Sequence, residues 1–162
     1  MENQTTSNSV SAIENRLAEL GLTLPEVAPP VAAYVPAVTS GNHAFTSGQL
    51  PFFKGELPAV GKVGADVTRE AAKEMAATCV LNALAAVKSV IGDLDRITRI
   101  VKVVGFVSSD PSFTGQPGVV NGASELLGEI FGEAGIHARS AVGVAVLPLD
   151  SPVEVELVAE FS

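Results

Sequence analysis

The sequence predicts an α/β sandwich in which two helices pack on one face of a mixed β-sheet. After a short N-terminal helix, its apolar patterns follow the order strand, strand, helix, strand, helix, strand, strand. The sharpest pattern is the last one, a strict alternation from Val153 to Phe161 that is typical of a strand with one face on a core. At 162 residues without an internal repeat, the chain is most simply one domain.

Residues 1–30 are predicted to form an extension, and residues 31–162 the single main domain. A short amphipathic helix is expected from Ser9 or Ser11 to Leu20, with Gly21 ending it. The three prolines between positions 22 and 30 require an extended chain. This segment is expected to lay the first helix against the main domain.

Two strands, Val31 to Thr39 and Ala44 to Thr46, are predicted to be joined by a polar turn at residues 40–43. The second strand runs into a loop of small residues, 46–51, in which Gly48 would let backbone N–H groups come close to a ligand. Residues 52–63 form a connection without periodicity.

The longest helix is predicted from Asp66 to Ile91, with Asp66 or Thr68 as its cap and Gly92 as its end. One stripe of this helix faces the core and recurs every four residues: Met75, Cys79, Ala83, Val87 and Ile91.

A β-branched run from Ile97 to Ser108 predicts a central strand in which Gly105 marks a bulge. A second helix is expected from Val119 to Ala134, ended by Gly135.

The two C-terminal strands, 141–147 and 153–161, are close enough in sequence to pair as an antiparallel hairpin. Arg139 opens the first strand, and Glu154 lies near the start of the second. A charged pair at one end of the sheet is therefore expected. Arg139 then either binds a ligand carboxylate through its planar guanidinium or is the partner of Glu154 or Glu156 in a structural ion pair.

Composition limits the possible partners of the chain. Charged residues make up 17% and apolar residues 47%, which predicts an oligomer that hides apolar surface against its own copies. The net charge of −8 and the scattered basic residues argue against nucleic acid. A single cysteine, the absence of a secretory signal and apolar runs well short of about 20 residues indicate a soluble cytoplasmic protein without membrane association.

Four other residues bear on chemistry. Glu154 is a candidate acid/base if a pocket desolvates it, although a solvated strand face is the commoner situation. Tyr34 either lines a ligand site with its ring or simply packs against other residues. Asn121 either contacts a ligand or faces solvent. Cys79 is interpreted as inert core, and the histidines lack metal-ligand spacing.

Several short motifs together resemble the RidA/YjgF family of reactive-intermediate deaminases, historically labelled endoribonuclease L-PSP. The resemblance covers residues 31–161 and rests on these stretches: Ala33-Tyr34-Val35-Pro36, Phe45-Thr46-Ser47-Gly48-Gln49-Leu50-Pro51, Val120-Asn121, Ala138-Arg139-Ser140-Ala141-Val142, Leu147-Pro148 and Val153-Glu154-Val155-Glu156. The separation and order of Thr-Ser-Gly-Gln and Ala-Arg-Ser make the resemblance specific.

The resemblance implies a chorismate-mutase-like α+β fold and a homotrimer with ligand sites in the clefts between subunits. It implies hydrolysis of enamines and imines such as 2-aminoacrylate to 2-oxo acids and ammonia, with no metal or organic cofactor. By the same resemblance, Arg139 clamps the substrate carboxylate and Glu154 positions or activates water. The remaining implied substrate-binding residues line the cleft: Tyr34, Ser47, Gly48 and Asn121.

Departures from the family pattern indicate a divergent subgroup with an extra N-terminal helix. Ala141 stands where many relatives have cysteine, and the Pro51–Val63 connection is long. Two alternatives to the deaminase remain: a non-catalytic binding module for small carboxylates or 2-oxo acids and, less favoured because the chain is acidic, an endoribonuclease.

Overall fold

The computed structural model describes residues 10–27 and 32–162, which form a sheet covered by helices. The helices are α1 (Ala12–Glu19), α2 (Arg69–Ile91) and α3 (Gln116–Phe131). The strands are β1 (Ala37–Ser40), β2 (His43–Thr46), β3 (Ile97–Ser108), β4 (Ala138–Val144) and β5 (Val153–Phe161). Three short 3-10 turns complete the elements: Leu94–Arg96, Gly132–Gly135 and Pro148–Asp150.

The five strands form one mixed sheet in the order β1-β2-β5-β3-β4. Strands β3 and β4 are parallel, and every other neighbouring pair is antiparallel. Helices α2 and α3 pack against each other and against this sheet, and the core lies between the two layers. The predicted α+β architecture, two helices on one face of a mixed sheet, is confirmed.

The predicted antiparallel hairpin of the two C-terminal strands is wrong, because β3 lies between them. Strand β3 pairs with β4 on one side and with β5 on the other. At the far end of β3, Ser109 N–H donates to Val144 O at 3.1 Å and Ser108 N–H donates to Pro152 O at 2.9 Å. The chain therefore leaves β4, crosses the end of β3 and enters β5 on its other side.

The N-terminal strand pair is shorter than predicted. Strand β1 begins at Ala37, because residues 32–36 make no ladder, and Val31, the first residue of the predicted strand, lies outside the described part of the chain. Strands β1 and β2 pair from Ala37↔Thr46 to Ser40↔His43, so Gly41 and Asn42 alone form the loop. The positive φ of Gly41, 58°, suits such a tight turn.

Helix α2 has the predicted end and one of the two predicted caps. The Thr68 hydroxyl oxygen accepts the Ala71 N–H at 3.1 Å, and Gly92 ends the helix with a φ of 89°. Asp66 instead accepts the Lys62 N–H within the preceding turn. Every residue of the predicted core stripe is buried. By length and composition α2 would suit a membrane span, but its apolar residues lie on the sheet and on α3.

Gly105 is not at a bulge, which corrects a second prediction. The register shifts of β3 fall between Ile97 and Arg99 and between Ile100 and Lys102. A Cβ on Gly105 would lie 2.7 Å from Val120 Cγ1, so the glycine allows α3 to approach the sheet closely. Helix α3 also starts three residues earlier than predicted, with Pro117 in its first turn, and the chain from 132 to 135 is a 3-10 turn.

Helix α1 docks on the main domain through its first turn. Asp95 accepts hydrogen bonds from Ser11 Oγ at 2.7 Å, from Ala12 N–H at 2.8 Å and from Ile13 N–H at 2.9 Å. These bonds place a carboxylate at the positive end of the helix and hold the pKa of Asp95 below its ordinary value. Leu17 is buried beneath the helix. The boundary between extension and domain at residue 30 stays a prediction.

Asp95→Ala is expected to loosen α1 while the sheet stays folded, because three hydrogen bonds to an exposed carboxylate are lost. A carboxyl whose pKa is lowered on folding stabilises above its unfolded pKa and loses that contribution as the pH falls through its folded value. Amide hydrogen exchange of residues 12–19 should therefore be faster in the variant than in the native protein at neutral pH. In the native protein the contact should weaken only in acid, where Asp95 becomes protonated. Asp110→Ala, which removes a lowered-pKa carboxyl remote in sequence from α1, is the control; equal acceleration in both variants would contradict the docking role.

Candidate active site

Arg139, the second residue of β4, is held by α3. Its Nη1 donates to Asn121 Oδ1 at 2.8 Å and to Ser124 Oγ at 3.2 Å. Its Nη2 donates to the carbonyl of Pro117 at 3.3 Å. We call Arg139, Asn121 and Ser124 the arginine cluster. Asn121 is thus an acceptor that orients the arginine, a role that sequence reasoning did not assign to it.

The guanidinium keeps one edge for a ligand. Within the part of the chain that the structure describes, Nε–H and one Nη2–H of Arg139 have no hydrogen-bond partner. Nε and Nη2 lie on the same edge of the planar group, where a carboxylate can accept two parallel hydrogen bonds. The arginine cluster therefore has the donors needed to bind a carboxylate.

Arg139 and Glu154 do not form the predicted charged pair. Arg139 lies beside Val103 of β3, whose side chain is fully buried under the helices, whereas Glu154 lies beside Phe106. Side chains alternate along a strand, so positions 103 and 106 point to opposite faces of the sheet. The ion pairs among the described residues do not include Arg139. The structural ion pair with Glu154 or Glu156 is therefore wrong.

Glu154 belongs to a second group of predicted residues, on the face of the sheet away from α2 and α3. Beyond β2 the chain stays beside β5, because Gln49 and Val155 exchange two backbone hydrogen bonds of 2.8 and 3.0 Å. This pairing lays Gly48 against the Glu154 side chain. A Cβ at position 48 would lie 2.7 Å from Glu154 Cδ, so any larger residue there would displace the Glu154 carboxyl.

Ser47 joins the same group to the backbone that follows Tyr34. Its hydroxyl donates to Val35 O at 2.6 Å, and its N–H donates to Pro36 O at 2.8 Å. Tyr34, one residue before Val35, is half exposed. We call Tyr34, Ser47, Gly48 and Glu154 the glutamate cluster. The predicted site residues thus fall into two clusters rather than one.

Burial raises the pKa of Glu154 above its ordinary value, and the nearby Glu156 carboxylate raises it further. Gly48 lies against the carboxyl, and no described side chain donates a hydrogen bond to it. A carboxyl whose pKa is raised in this way is a stronger base than an ordinary glutamate and is suited to accept and return a proton.

Sequence reasoning missed Ser124, a member of the arginine cluster, and His137, which lies next to the cluster. His137 Nε2 lies 2.9 Å from Ser124 Oγ, and His137 Nδ1 lies 2.6 Å from Gly135 O. His137 was considered only as a metal ligand, and Ser124 was not considered. The available signal was the spacing of Asn121 and Ser124, which places both on one face of a helix.

Cys79 does not contribute to either cluster. It is fully buried in the core, and burial raises the pKa of its thiol well above the ordinary value. The interpretation as inert core is confirmed. Residues 10–27 and 32–162 contain no group of three or more His, Cys, Asp or Glu placed to hold a metal ion.

Two grooves lie elsewhere, between residues 22–27 and the outer side of α2. One, of about 510 Å³, is lined by Leu17, Leu24 and Ala85, and the other, of about 320 Å³, by Pro25, Phe52 and Leu81. Neither contains a residue of the two clusters. The residues with candidate chemistry therefore do not line either groove of the single chain.

Comparison with known proteins gives a consistent family assignment. The family model described as "YjgF/chorismate_mutase-like, putative endoribonuclease" matches residues 14–161, which include most of α1. Protein TCP17 of Trypanosoma cruzi is 44% identical over 147 residues, which cover 90% of this chain and 92% of that protein.

Solved structures support the same family assignment. The crystal structure of Atu1372, a protein of unknown function from Agrobacterium tumefaciens, is 46% identical, with a TM-score of 0.86 and 93% of each chain covered. The structure of E. coli TdcF with bound serine is 25% identical, with a TM-score of 0.61 and coverage of 85% of this chain and 94% of that one.

Proposed function

Since this chain belongs to the YjgF/RidA family, we propose that it hydrolyses reactive enamines and imines of the 2-aminoacrylate type to 2-oxo acids and ammonia. The observation that carries the proposal is the free edge of Arg139, held in place by Asn121 and suited to the carboxylate that such substrates carry. The serine bound in TdcF is also an amino acid with a carboxylate.

In the proposed reaction, an enamine substrate first takes up a proton from solvent on its β-carbon, which gives an iminium. Arg139 binds the carboxylate of this iminium and so positions the adjacent C=N carbon. Water adds to that carbon while Glu154 accepts a proton from the water, which gives a carbinolamine. Glu154 returns the proton to the nitrogen, and as the C–N bond breaks the hydroxyl gives its proton to Glu154, which leaves the 2-oxo acid and ammonia; Glu154 then loses that proton to solvent. The iminium carbon is already electrophilic, so positioning and one acid/base group suffice.

The proposal includes a homotrimer in which a second copy completes each site. In one chain, the arginine cluster and the glutamate cluster lie on opposite faces of the sheet, so a single copy does not offer both to one small substrate. The sheet face away from the helices exposes apolar side chains that a second copy would cover, among them Val38, Phe45 and Val142. A cytoplasmic location and the absence of nucleic-acid partners belong to the same proposal and rest on the acidic composition and the single cysteine.

Glu154→Gln is expected to lower turnover of 2-aminoacrylate, generated in situ, by about a hundredfold or more, because a neutral amide cannot accept the proton of water. Release of pyruvate is the readout. In the native protein the rate should rise with pH through the pKa of Glu154, which lies above the ordinary glutamate value because of burial and Glu156. Binding of 2-oxobutyrate, a stable carboxylate probe, should change little in the variant.

Glu160→Gln is the matched control, since Glu160 lies on the same face of β5 at its other end and accepts a hydrogen bond from Thr98. If the native protein binds 2-oxobutyrate but accelerates the hydrolysis of no imine, the chain is a binding module and the deaminase proposal is wrong. Cleavage of RNA that survives both Arg139→Ala and repeated purification would favour the ribonuclease instead.

A further inference from the structure

The hydrogen bonds around Arg139 continue, on the side away from its free edge, to His137. The carbonyl of Gly135 can only accept, so the short contact of 2.6 Å identifies His137 Nδ1 as the donor. In the neutral ring Nε2 is then an acceptor, and the Ser124 hydroxyl, 2.9 Å away, donates to it. Because the Ser124 hydroxyl donates its proton to His137, a lone pair of Ser124 Oγ can accept the hydrogen bond from Arg139 Nη1 at 3.2 Å.

We infer that His137, acting through Ser124, is a positioning residue that sets the orientation of the Arg139 guanidinium and thereby the affinity of this site for a substrate carboxylate. The inference rests on the proposed function of Arg139. Neither His137 nor Ser124 has a role in the proposed reaction steps, and both lie on the far side of the guanidinium from its free edge.

The direction of each hydrogen bond explains why both residues are needed. Without the ring acceptor, the Ser124 hydroxyl can turn its proton to another acceptor, and its lone pair no longer points at Nη1. Without the hydroxyl, one Nη1–H of a half-buried cation loses its partner. In either case Asn121 and Pro117 alone restrain a side chain with several rotatable bonds, and the fork of Nε–H and Nη2–H is held less firmly.

The backbone supports this chain of contacts at both ends. Gly135 is buried, and a Cβ there would lie 2.8 Å from the carbonyl carbon of Leu127, so the turn that presents its carbonyl to His137 is packed on α3. Ser124 and Asn121 lie one helical turn apart on α3. The acceptors of the guanidinium are therefore fixed on one rigid element.

The test measures binding of 2-oxobutyrate by titration calorimetry and the kinetics of 2-aminoacrylate hydrolysis. Ser124→Ala and His137→Leu are each expected to raise Kd and KM roughly fivefold, the effect of a weakened hydrogen bond to a charged group, with kcat within about twofold of native. The double variant should be no weaker than the weaker single variant, because both changes break the same chain of contacts.

Conservative variants separate positioning from packing. Ser124→Thr keeps the hydroxyl and His137→Gln keeps an acceptor near the position of Nε2, so both should restore Kd to within about twofold of native. Ser89→Ala, which removes a hydroxyl that donates to Ala86 O in α2, should have no effect.

The outcomes distinguish this inference from the proposed function. If Arg139→Ala loses affinity while Ser124→Ala and His137→Leu bind as the native protein does, the inference is wrong and the carboxylate clamp stands. If His137→Gln is as weak as His137→Leu, the ring contributes by packing and the inference is also wrong. Native affinity in Arg139→Ala would overturn the clamp and the inference together.

Discussion

Replacing Arg139 with alanine is expected to lower kcat/KM for 2-aminoacrylate by about a hundredfold or more. Two hydrogen bonds from a cation to the substrate carboxylate are lost, each contributing about 1.5–3 kcal/mol. The orientation of the imine carbon toward water is lost with them. Steady-state release of pyruvate by the native protein and the variant checks the prediction.

Arg139→Lys should recover little of this loss, because an ammonium group lacks the planar pair of donors on one edge. The matched control is Arg99→Ala on β3, an exposed arginine beside Glu160 that belongs to neither cluster. Circular dichroism must show that all three variants are folded. Equal rates in the native protein, Arg139→Ala and buffer would exclude the deaminase function for this substrate.

A mixing experiment extends the same prediction to the assembly. Arg139→Ala and Glu154→Gln, each inactive alone, should together recover up to about a quarter of native activity after subunit exchange, if each site takes Arg139 from one copy and Glu154 from its neighbour in a trimer. No recovery after demonstrated exchange would mean that one chain supplies both residues, or that they do not act in one site.

Gly122→Ala is expected to have the largest effect on stability, with a loss of about 3 kcal/mol or more. A Cβ on Gly122 would overlap the backbone carbonyl of Lys73 and lie 2.8 Å from its carbonyl carbon. Backbone cannot rotate away as a side chain can, so α2 and α3 would have to separate along a buried contact. Thermal unfolding should show a midpoint lowered by roughly 10 °C.

Gly128→Ala is the matched control in the same helix. A Cβ there would meet nothing within 4 Å, and the position is exposed. Alanine in a helix interior is more favourable than glycine by up to about 1 kcal/mol, so this variant should be equally or more stable than the native protein. Destabilisation of both variants by similar amounts would show that the close approach of Gly122 to the Lys73 backbone does not decide the effect.

Local sequence patterns predicted much of the fold. The stripe from Met75 to Ile91 predicted the buried face of α2, and the alternation from Val153 to Phe161 predicted both faces of β5. The Thr-Ser-Gly-Gln and Ala-Arg-Ser motifs pointed to the correct family. These features are properties of a few neighbouring residues, and for that reason they can be read along the chain.

The pairing of the strands could not be predicted from such local patterns. Nothing in the residues from Arg139 to Glu154 shows that β3, some forty positions earlier, lies between β4 and β5. Because that strand intervenes, Arg139 faces α3 and Glu154 faces away from it, and the predicted ion pair does not form. The role of Gly105 was missed for the same reason. Gly105 leaves room for the side chain of Val120, and Val120 belongs to α3, a different element.

By itself, then, the sequence determined the order of the main helices and strands, the family and most of the candidate residues, because side-chain periodicity and short motifs are local. Only the tertiary structure decided which of those residues meet: Asn121, Ser124 and His137 around Arg139, and Gly48 against Glu154. The physical reason is that strand order and helix packing are settled by contacts between residues far apart in the chain, where the core excludes water.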